Sequence, residues 1–238
     1  MKWIIDLCLL AILLICVWTG YKKGLVMGIG GMVVIIVSLY VGCLVSATFS
    51  YEIVPAVRPF ASGYVERQMN TSVLEQMGLA NTELSLEDIL NEDPTLRHEF
   101  CFESYQSVGI YDDAAEQMAT EAEAYAATNE ATIKAAIVEV LCSRVTYVLG
   151  VALVFVLVLI ILTAIGNLTN LTFKIPNMDR LNDIGGTVLG LVKGVTFCIL
   201  VVWFLRFAGL AIGRETLGST ILGRLFLALD VIKLAVGI

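Results

Sequence analysis

Long apolar runs and one long polar stretch alternate along this chain. Four runs have about the 20 residues that a helix needs to cross a bilayer: 3–19, 25–47, 145–165 and 185–205. The polar stretch, residues 48–143, separates the second run from the third. This pattern predicts four transmembrane helices in two hairpins, 1–47 and 144–210, joined by a large insert.

The insert is predicted to be helical. Apolar residues recur at spacings of three and four in 65–77, 84–90 and 95–108, and Gly78, Pro94 and Gly109 separate these segments. The alanine- and glutamate-rich segment 112–140 is a strong helix former that could continue into the third span. Few aromatic and branched aliphatic residues predict a small helical bundle that leans on the membrane part, rather than an independent enzyme domain.

The C-terminal segment, 211–238, differs from a span. On a helical wheel one side of 220–236 collects these residues: Ile221, Leu222, Leu225, Ala228, Leu229, Ile232, Ala235 and Val236. Arg224, Asp230 and Lys233 lie off that side. An amphipathic helix of this kind suits the membrane interface. Packing against the bundle or against a second copy is the alternative.

Composition and charge agree with this class. The chain is 58% hydrophobic and 16% charged, whereas soluble proteins have about a quarter of their residues charged. Residues 48–143 hold 17 of the 22 acidic and 4 of the 15 basic residues, a net charge of −13, while the remainder carries +6. The expected surroundings are a lipid bilayer, with a membrane-protein partner or self-association, and nucleic acid is excluded as a partner of the acidic insert.

The basic residues also predict an orientation. Lys22 and Lys23 follow the first span, and only Lys2 precedes it, so the positive-inside rule keeps the first hairpin turn in the cytoplasm. The amino terminus and the insert would then lie outside, which makes the insert extracytoplasmic. Arg144, Arg206 and Arg214 oppose this orientation, but the first hairpin usually dominates and a long loop translocates largely regardless of its charge. The predicted fold is therefore an all-α membrane protein with four transmembrane helices, a helical extracytoplasmic insert and an amphipathic C-terminal helix.

Small residues form a stripe on the second helix and another on the fourth. The glycines concerned are Gly20, Gly24, Gly28, Gly31, Gly186, Gly190 and Gly194. Ser38, Gly42 and Ser46 continue the stripe of the second helix. Their spacing is typical of helices whose backbones approach closely in lipid, so we expect them to hold the second and fourth helices together. The alternative, a path for a small solute, lacks repeated polar partners along the stripe.

Two charges lie inside predicted spans, Asp6 and Lys193. A charge in the bilayer core is costly unless its side chain reaches the interface or finds a partner. We expect both side chains to extend to the nearer interface. For Lys193 the alternative is a partner chain or a polar cavity.

No catalytic, metal or cofactor site emerges from the sequence. His98 with Glu99, Cys101 and Glu103 could offer a metal-binding helix face, but structural zinc needs four ligands and the expected reading is a solvated surface. Cys101 beside His98 lacks the third, orienting group of a nucleophilic site. A disulfide between Cys101 and Cys142 stays an open alternative.

Two motifs resemble the colicin V production protein (CvpA) family. The first is Trp3-Ile-Ile-Asp6 followed by Gly20-Tyr-Lys-Lys-Gly24, and the second is Asn182, Gly186, Gly190 and Gly194 with Lys193 before the last glycine. The resemblance covers 3–47 and 145–236 and leaves the insert unmatched. Family members often have Asp-Arg where this chain has Asn182-Asp183.

The resemblance implies a multi-pass protein of the bacterial inner membrane with no known catalytic residues. It further implies a non-enzymatic accessory role in producing or secreting a colicin V-like peptide toxin, or in envelope upkeep where toxin genes are absent. The alternative from another class is a small transporter or channel subunit, which a shared polar cavity containing Lys193 would favour.

Overall fold

The computed structural model describes residues 2–78, 86–168, 179–207 and 220–228, and every regular element within these ranges is a helix. The first helical element, Lys2–Gln68, is interrupted at Gly24 (φ 78°, ψ 179°), so it comprises α1 (2–23) and α2 (25–68). A π-helical turn, Met69–Val73, and a last turn, Leu74–Gln76, continue α2. The other helices are α3 Leu86–Glu92, α4 Pro94–Ser107, α5 Asp112–Asn129, α6 Ile133–Leu168, α7 Asp179–Phe207 and α8 Ile221–Ala228.

Among the described residues, three helical stretches are long and apolar enough to cross a membrane. They are Trp3–Gln76, Ile133–Gly166 and Arg180–Phe207, with mean hydropathies of 2.4, 3.3 and 2.4. Much of their apolar surface is exposed, as at Leu153 and Ile184, which are 70% and 65% accessible. Exposed aliphatic surface on this scale fits contact with lipid. The protein is therefore an all-α protein with membrane-type helices.

The chain forms two compact units, which the boundaries at Ser46, Val148 and Leu205 separate. The apolar unit consists of the described residues of 1–46, 149–205 and 215–238. The polar unit consists of the described residues of 47–148 and 206–214.

Within the apolar unit, the order of contacts fixes the helix directions. From α1 to α7 the contacts pair Leu9 with Cys198, Leu13 with Gly194, Cys16 with Gly190 and Gly20 with Gly186. From α2 to α7 they pair Leu25 with Gly185, Gly28 with Leu189 and Gly31 with Lys193. Helix α1 is thus antiparallel to α7, and α2 is parallel to it. The chain direction therefore reverses at Gly24. The expectation that Gly20 and Gly24 belong to the second helix is therefore wrong, since α1 continues to residue 23.

Helix α6 packs against the middle of α2, around Gly42 and Ser46. A Cβ at Gly42 would lie 3.3 Å from the Val151 carbonyl oxygen, and one at Gly150 would lie 2.9 Å from the Ser46 hydroxyl oxygen. Ser46, which follows Gly42 on α2, thus contacts Gly150, which precedes Val151 on α6. The two helices are antiparallel and close.

Helix α8 packs onto α1 and α7. Phe226 is buried in a cluster with Leu9, Cys198 and Val202, and Leu222 packs against it. Ile221, on the other edge of α8, is 75% exposed. The predicted apolar side is therefore divided between a buried and an exposed part. Residues 229–236 of the expected helix lie outside the described residues.

The polar unit is built around α4 and α5. Phe100, Tyr105, Met118 and Ile137 are fully buried, and the Tyr105 hydroxyl donates a hydrogen bond to the Ile137 carbonyl at 3.2 Å. Ala115, Ala119 and Ala122 on α5 are also fully buried. Alanines at spacings of three and four let neighbouring helices approach closely, so this unit has a dense core despite few branched residues.

The expected continuous helix over 112–140 is wrong, because α5 ends at Asn129. Glu130 adopts a left-handed conformation (φ 49°) and its amide bonds to the Ala126 carbonyl, which closes α5. Thr132 Oγ1 then accepts the Ala135 amide at 3.3 Å, as a capping residue does at the start of a helix. It is α6, from Ile133, that continues into the third predicted span.

Candidate functional site at the helix crossing

The turn between α1 and α2 is fastened to α7 by Asn182. The Leu25 amide donates a hydrogen bond to Asn182 Oδ1 at 2.9 Å, and Asn182 is only 4% exposed. A Cβ on Gly24 would collide with the Asn182 side-chain amide, and the positive φ of Gly24 also favours glycine. Asn182 thus satisfies an amide at the start of α2 that has no partner within its own helix.

Next to this bond, α1 and α7 touch through their backbones. A Cβ on Gly20 would collide with the Gly186 carbonyl oxygen, and one on Gly190 would lie 2.5 Å from the Cys16 carbonyl oxygen. A Cβ on Gly194 would come within 3.1 Å of Leu13 and Cys16. The two sequence motifs, 20–24 and 182–194, therefore meet at one crossing.

The rest of the stripe makes other contacts. A Cβ on Gly28 would lie 2.9 Å from the Leu189 side chain, and one on Gly31 would lie 3.3 Å from Lys193 Nζ. Farther along α2, Gly42 faces α6. The stripe therefore spans more than the single helix pair that the sequence suggested, with Gly20 on α1 and Gly42 opposite α6.

Lys193 lies beside a cleft of about 180 Å³ between α2, α6 and α7. The side chains that line it include Lys23, Met27, Val34, Leu162 and Lys193. The Lys193 ammonium lies 5.9 Å from the centre of the Phe197 ring. Among the described residues, no carboxylate is within 4 Å of Lys193. Lys193 thus borders a mainly apolar cleft that also contains Lys23, and its expected reach to the interface stays a prediction.

Asp6 lies at the start of α1 and contacts α8. Its two carboxylate oxygens accept the amides of Ile221 at 3.2 Å and Leu222 at 3.0 Å. A carboxylate at a helix N-terminus satisfies free amides and interacts favourably with the helix dipole. Asp6 thus has a polar partner within the chain.

His98 lies between two glutamates of α5. Its Nδ1 is 3.1 Å from Glu123 and its Nε2 is 3.1 Å from Glu116. The hydrogen bond to Glu123, more than the one to Glu116, raises the pKa of His98 above its usual value, against a smaller opposing effect of burial. Within the described ranges, no group of three or more His, Cys, Asp or Glu residues could hold a metal ion.

These partners were missed in the sequence because they lie 18 and 25 residues from His98, whereas the expected metal face used its neighbours Glu99, Cys101 and Glu103. Cys101 and Cys142 are both buried, free thiols. Burial raises the pKa of Cys101 to about 12, so its thiolate is scarce at neutral pH.

Comparison with known proteins matches part of this chain to a family model. The family model described as "Colicin V production protein" matches residues 114–229. The match confirms the resemblance and includes the motif residues Asn182, Gly186, Gly190, Lys193 and Gly194. It begins within α5, so it extends into the insert that the resemblance had left unmatched, and it does not include the motif at 20–24. No curated protein and no solved structure matches this chain.

Proposed function

We propose that this chain, whose residues 114–229 match the colicin V production protein family model, is a non-enzymatic integral membrane accessory protein for production or secretion of a colicin V-like peptide toxin. Where no toxin is made, the same protein would serve envelope upkeep. Its location would be the bacterial inner membrane, crossed four times by α1, the first half of α2, the second half of α6, and α7.

The observation that carries this proposal is the chemistry of the crossing. The motif residues Asn182, Gly186 and Gly190 make a capping bond and backbone contacts, which are the means of holding helices together. General acid–base catalysis needs a titratable group within hydrogen-bond reach of the reacting atoms, and these residues offer none. The contacts of these three residues therefore support a scaffold that presents helices to a partner.

Exposed aromatic residues support the membrane placement. Trp3 and Trp18 on α1 are 74% and 62% exposed and stand 15 residues apart, which is about 22 Å along a helix. Tryptophans at both ends of a span are typical of the two membrane–water interfaces.

The proposed orientation, with the α1–α2 turn in the cytoplasm, rests on Lys22 and Lys23, because the first hairpin usually dominates. Of the three arginines that oppose it, Arg144 and Arg206 pair with Glu121 and Asp113 in the polar unit.

The test is a deletion strain that carries a colicin V-type toxin operon. We expect less toxin in the medium with unchanged toxin synthesis in the cell, and recovery with the wild-type gene. Asn182→Ala should recover secretion poorly and Asn182→Asp well. In a strain without the operon, entry of an impermeant dye reports envelope integrity. Normal secretion together with normal dye exclusion in the deletion strains would reject the proposal.

The second candidate is a small transporter or channel subunit, which the cleft beside Lys193 favours. Purified protein in sealed vesicles should then carry a flux of small anions that Lys193→Met abolishes. Wild-type vesicles as tight as empty ones would exclude this candidate.

A further inference from the structure

Two lysines from different helices meet at the cleft between α2, α6 and α7. Lys23 ends α1, and Lys193 lies on α7. We propose that this cleft binds the headgroup phosphate of an anionic phospholipid, with the acyl chains along the apolar surface outside it. This site is additional to the accessory role proposed above and does not depend on it.

Charge is the first argument. Lys23 and Lys193 both line the cleft, and two like charges at one cleft repel each other. Among the described residues neither makes an ion pair with a carboxylate. An anion between them would relieve the repulsion and compensate both charges.

The cleft also has room for a phosphate group beside Lys193. A Cβ on Gly31 would approach Lys193 Nζ to 3.3 Å, so the absence of a side chain there leaves room for the ammonium. The cleft volume of about 180 Å³ suits a headgroup phosphate and is too small for a whole lipid.

Depth and surroundings indicate a lipid rather than a soluble anion. Gly31, level with Lys193, lies seven residues beyond the turn at Gly24, which is about 10 Å along α2. A lysine can extend from that depth to the headgroup region. Met27, Val34 and Leu162 line the cleft, and Ile29, next in sequence to the cleft-lining Gly30, is 52% exposed. Exposed apolar surface beside the cleft suits acyl chains, and basic pockets between transmembrane helices bind anionic headgroups.

The test measures lipids retained by the full-length protein in native mass spectrometry. Detergent-solubilised protein is mixed with equal amounts of phosphatidylglycerol and phosphatidylcholine. Each lysine near a membrane surface changes the affinity for anionic lipid about fivefold, so we expect a clear preference for phosphatidylglycerol in wild type. Lys193→Met and Lys23→Met should each reduce the preference about fivefold. Lys193→Arg should keep it.

Lys22→Met is the matched control, because Lys22 carries the same charge one residue away but lies over the Trp18 ring, 5.1 Å from its centre. It should leave the preference unchanged. An equal loss in Lys22→Met and Lys193→Met would show general surface attraction and overturn the site. Equal retention of both lipids by wild type would do the same.

A second arm separates lipid from soluble anion. Inorganic phosphate at millimolar concentration should neither displace phosphatidylglycerol nor raise the melting temperature of lipid-free protein. Stabilisation by phosphate that Lys193→Met abolishes would assign the cleft to a free anion and reject the lipid. Variants are compared only after size-exclusion chromatography shows a folded peak, and Lys23→Met provides the result if Lys193→Met does not fold. These lipid-binding experiments do not depend on toxin secretion, so this proposal and the accessory role can fail independently.

Discussion

The Leu25 amide donates a hydrogen bond to Asn182 Oδ1 across 157 residues of sequence. The bond joins the first residue after the Gly24 reversal to the start of α7. It therefore fixes the point where α1 and α2 diverge, next to the backbone contacts of Gly20 and Gly190.

Removing this acceptor should destabilise the apolar unit. Asn182→Ala leaves the Leu25 amide without its partner, and an unsatisfied buried donor costs about 1–3 kcal/mol. Asn182→Asp keeps an oxygen acceptor at the same position and should lose much less. Thermal unfolding of the purified variants in detergent measures both. Equal melting of the alanine and aspartate variants would mean that the bond contributes little.

The glycines of the crossing should differ in their tolerance of a side chain. Gly190→Leu should be the most damaging, because even a Cβ there meets the Cys16 carbonyl oxygen of the backbone. Gly28→Leu should cost less, since it meets the flexible side chain of Leu189. Gly30→Ala, with nothing within 4 Å, and Val37→Leu, already 41% exposed, are the controls. Melting temperatures in one detergent should follow this order.

If all four variants melt together, backbone contact at Gly190 does not determine stability. A loss confined to Gly28→Leu would instead place the critical contact between α2 and α7.

The all-helical class and the long apolar helices could be predicted from the sequence, because the spacing of apolar residues and the length of apolar runs are local properties. It also located Gly24, Asn182 and Lys193 as residues of interest. It placed the first helix end too early, since Gly20 reads as the start of a glycine-rich helix when its contact with Gly186 is unknown. The break at Glu130 was missed because glutamate is a good helix former and carries no turn signal.

Contacts between residues that are distant in sequence could not be predicted from local patterns. The bonds from Asp6 to α8 span more than 200 residues, and no local pattern marks them. His98 likewise looked solvent-exposed because only its own helix was considered, while its partners lie on α5. The pattern also gave no reason for α2 to continue through Pro55 and Pro59, which usually interrupt a helix.

His98 should make the stability of the polar unit depend on pH. Glu123 and Glu116 raise its pKa in the folded state, so the folded protein holds this proton more tightly than the unfolded chain. The stabilisation is complete below the unfolded pKa of about 6.5 and is lost as pH rises through the higher folded pKa. Chemical unfolding of wild type and His98→Gln from pH 5 to 9 measures it.

The difference in unfolding free energy between wild type and His98→Gln should shrink as the pH rises. Glu116→Gln with Glu123→Gln should remove the same dependence. A difference that stays constant over this pH range would contradict a stabilising interaction between His98 on α4 and the two glutamates on α5.

The orientation is testable with single cysteines in a background without the six native ones. Asn129 at the end of α5 is exposed in the polar unit, and Arg180 is exposed at the start of α7. With the polar unit outside, Asn129→Cys should react with an impermeant thiol reagent on intact cells and Arg180→Cys should react only after lysis. The opposite pattern would invert the topology.

Asp6 should control whether α8 stays attached to α1 and α7. Its carboxylate bonds to the amides of Ile221 and Leu222, and loss of a capping side chain costs about 0.5–2 kcal/mol. Asp6→Ala should therefore speed hydrogen exchange at these two amides and expose α8 to protease, while α7 stays protected. Asp6→Asn keeps an oxygen acceptor, so its hydrogen exchange rates at these amides should fall between those of wild type and Asp6→Ala. Because Phe226 still packs in the cluster with Leu9 and Cys198, release should be partial in Asp6→Ala and complete only when Phe226→Ala is added. Unchanged exchange at Ile221 and Leu222 in Asp6→Ala would show that packing alone holds α8.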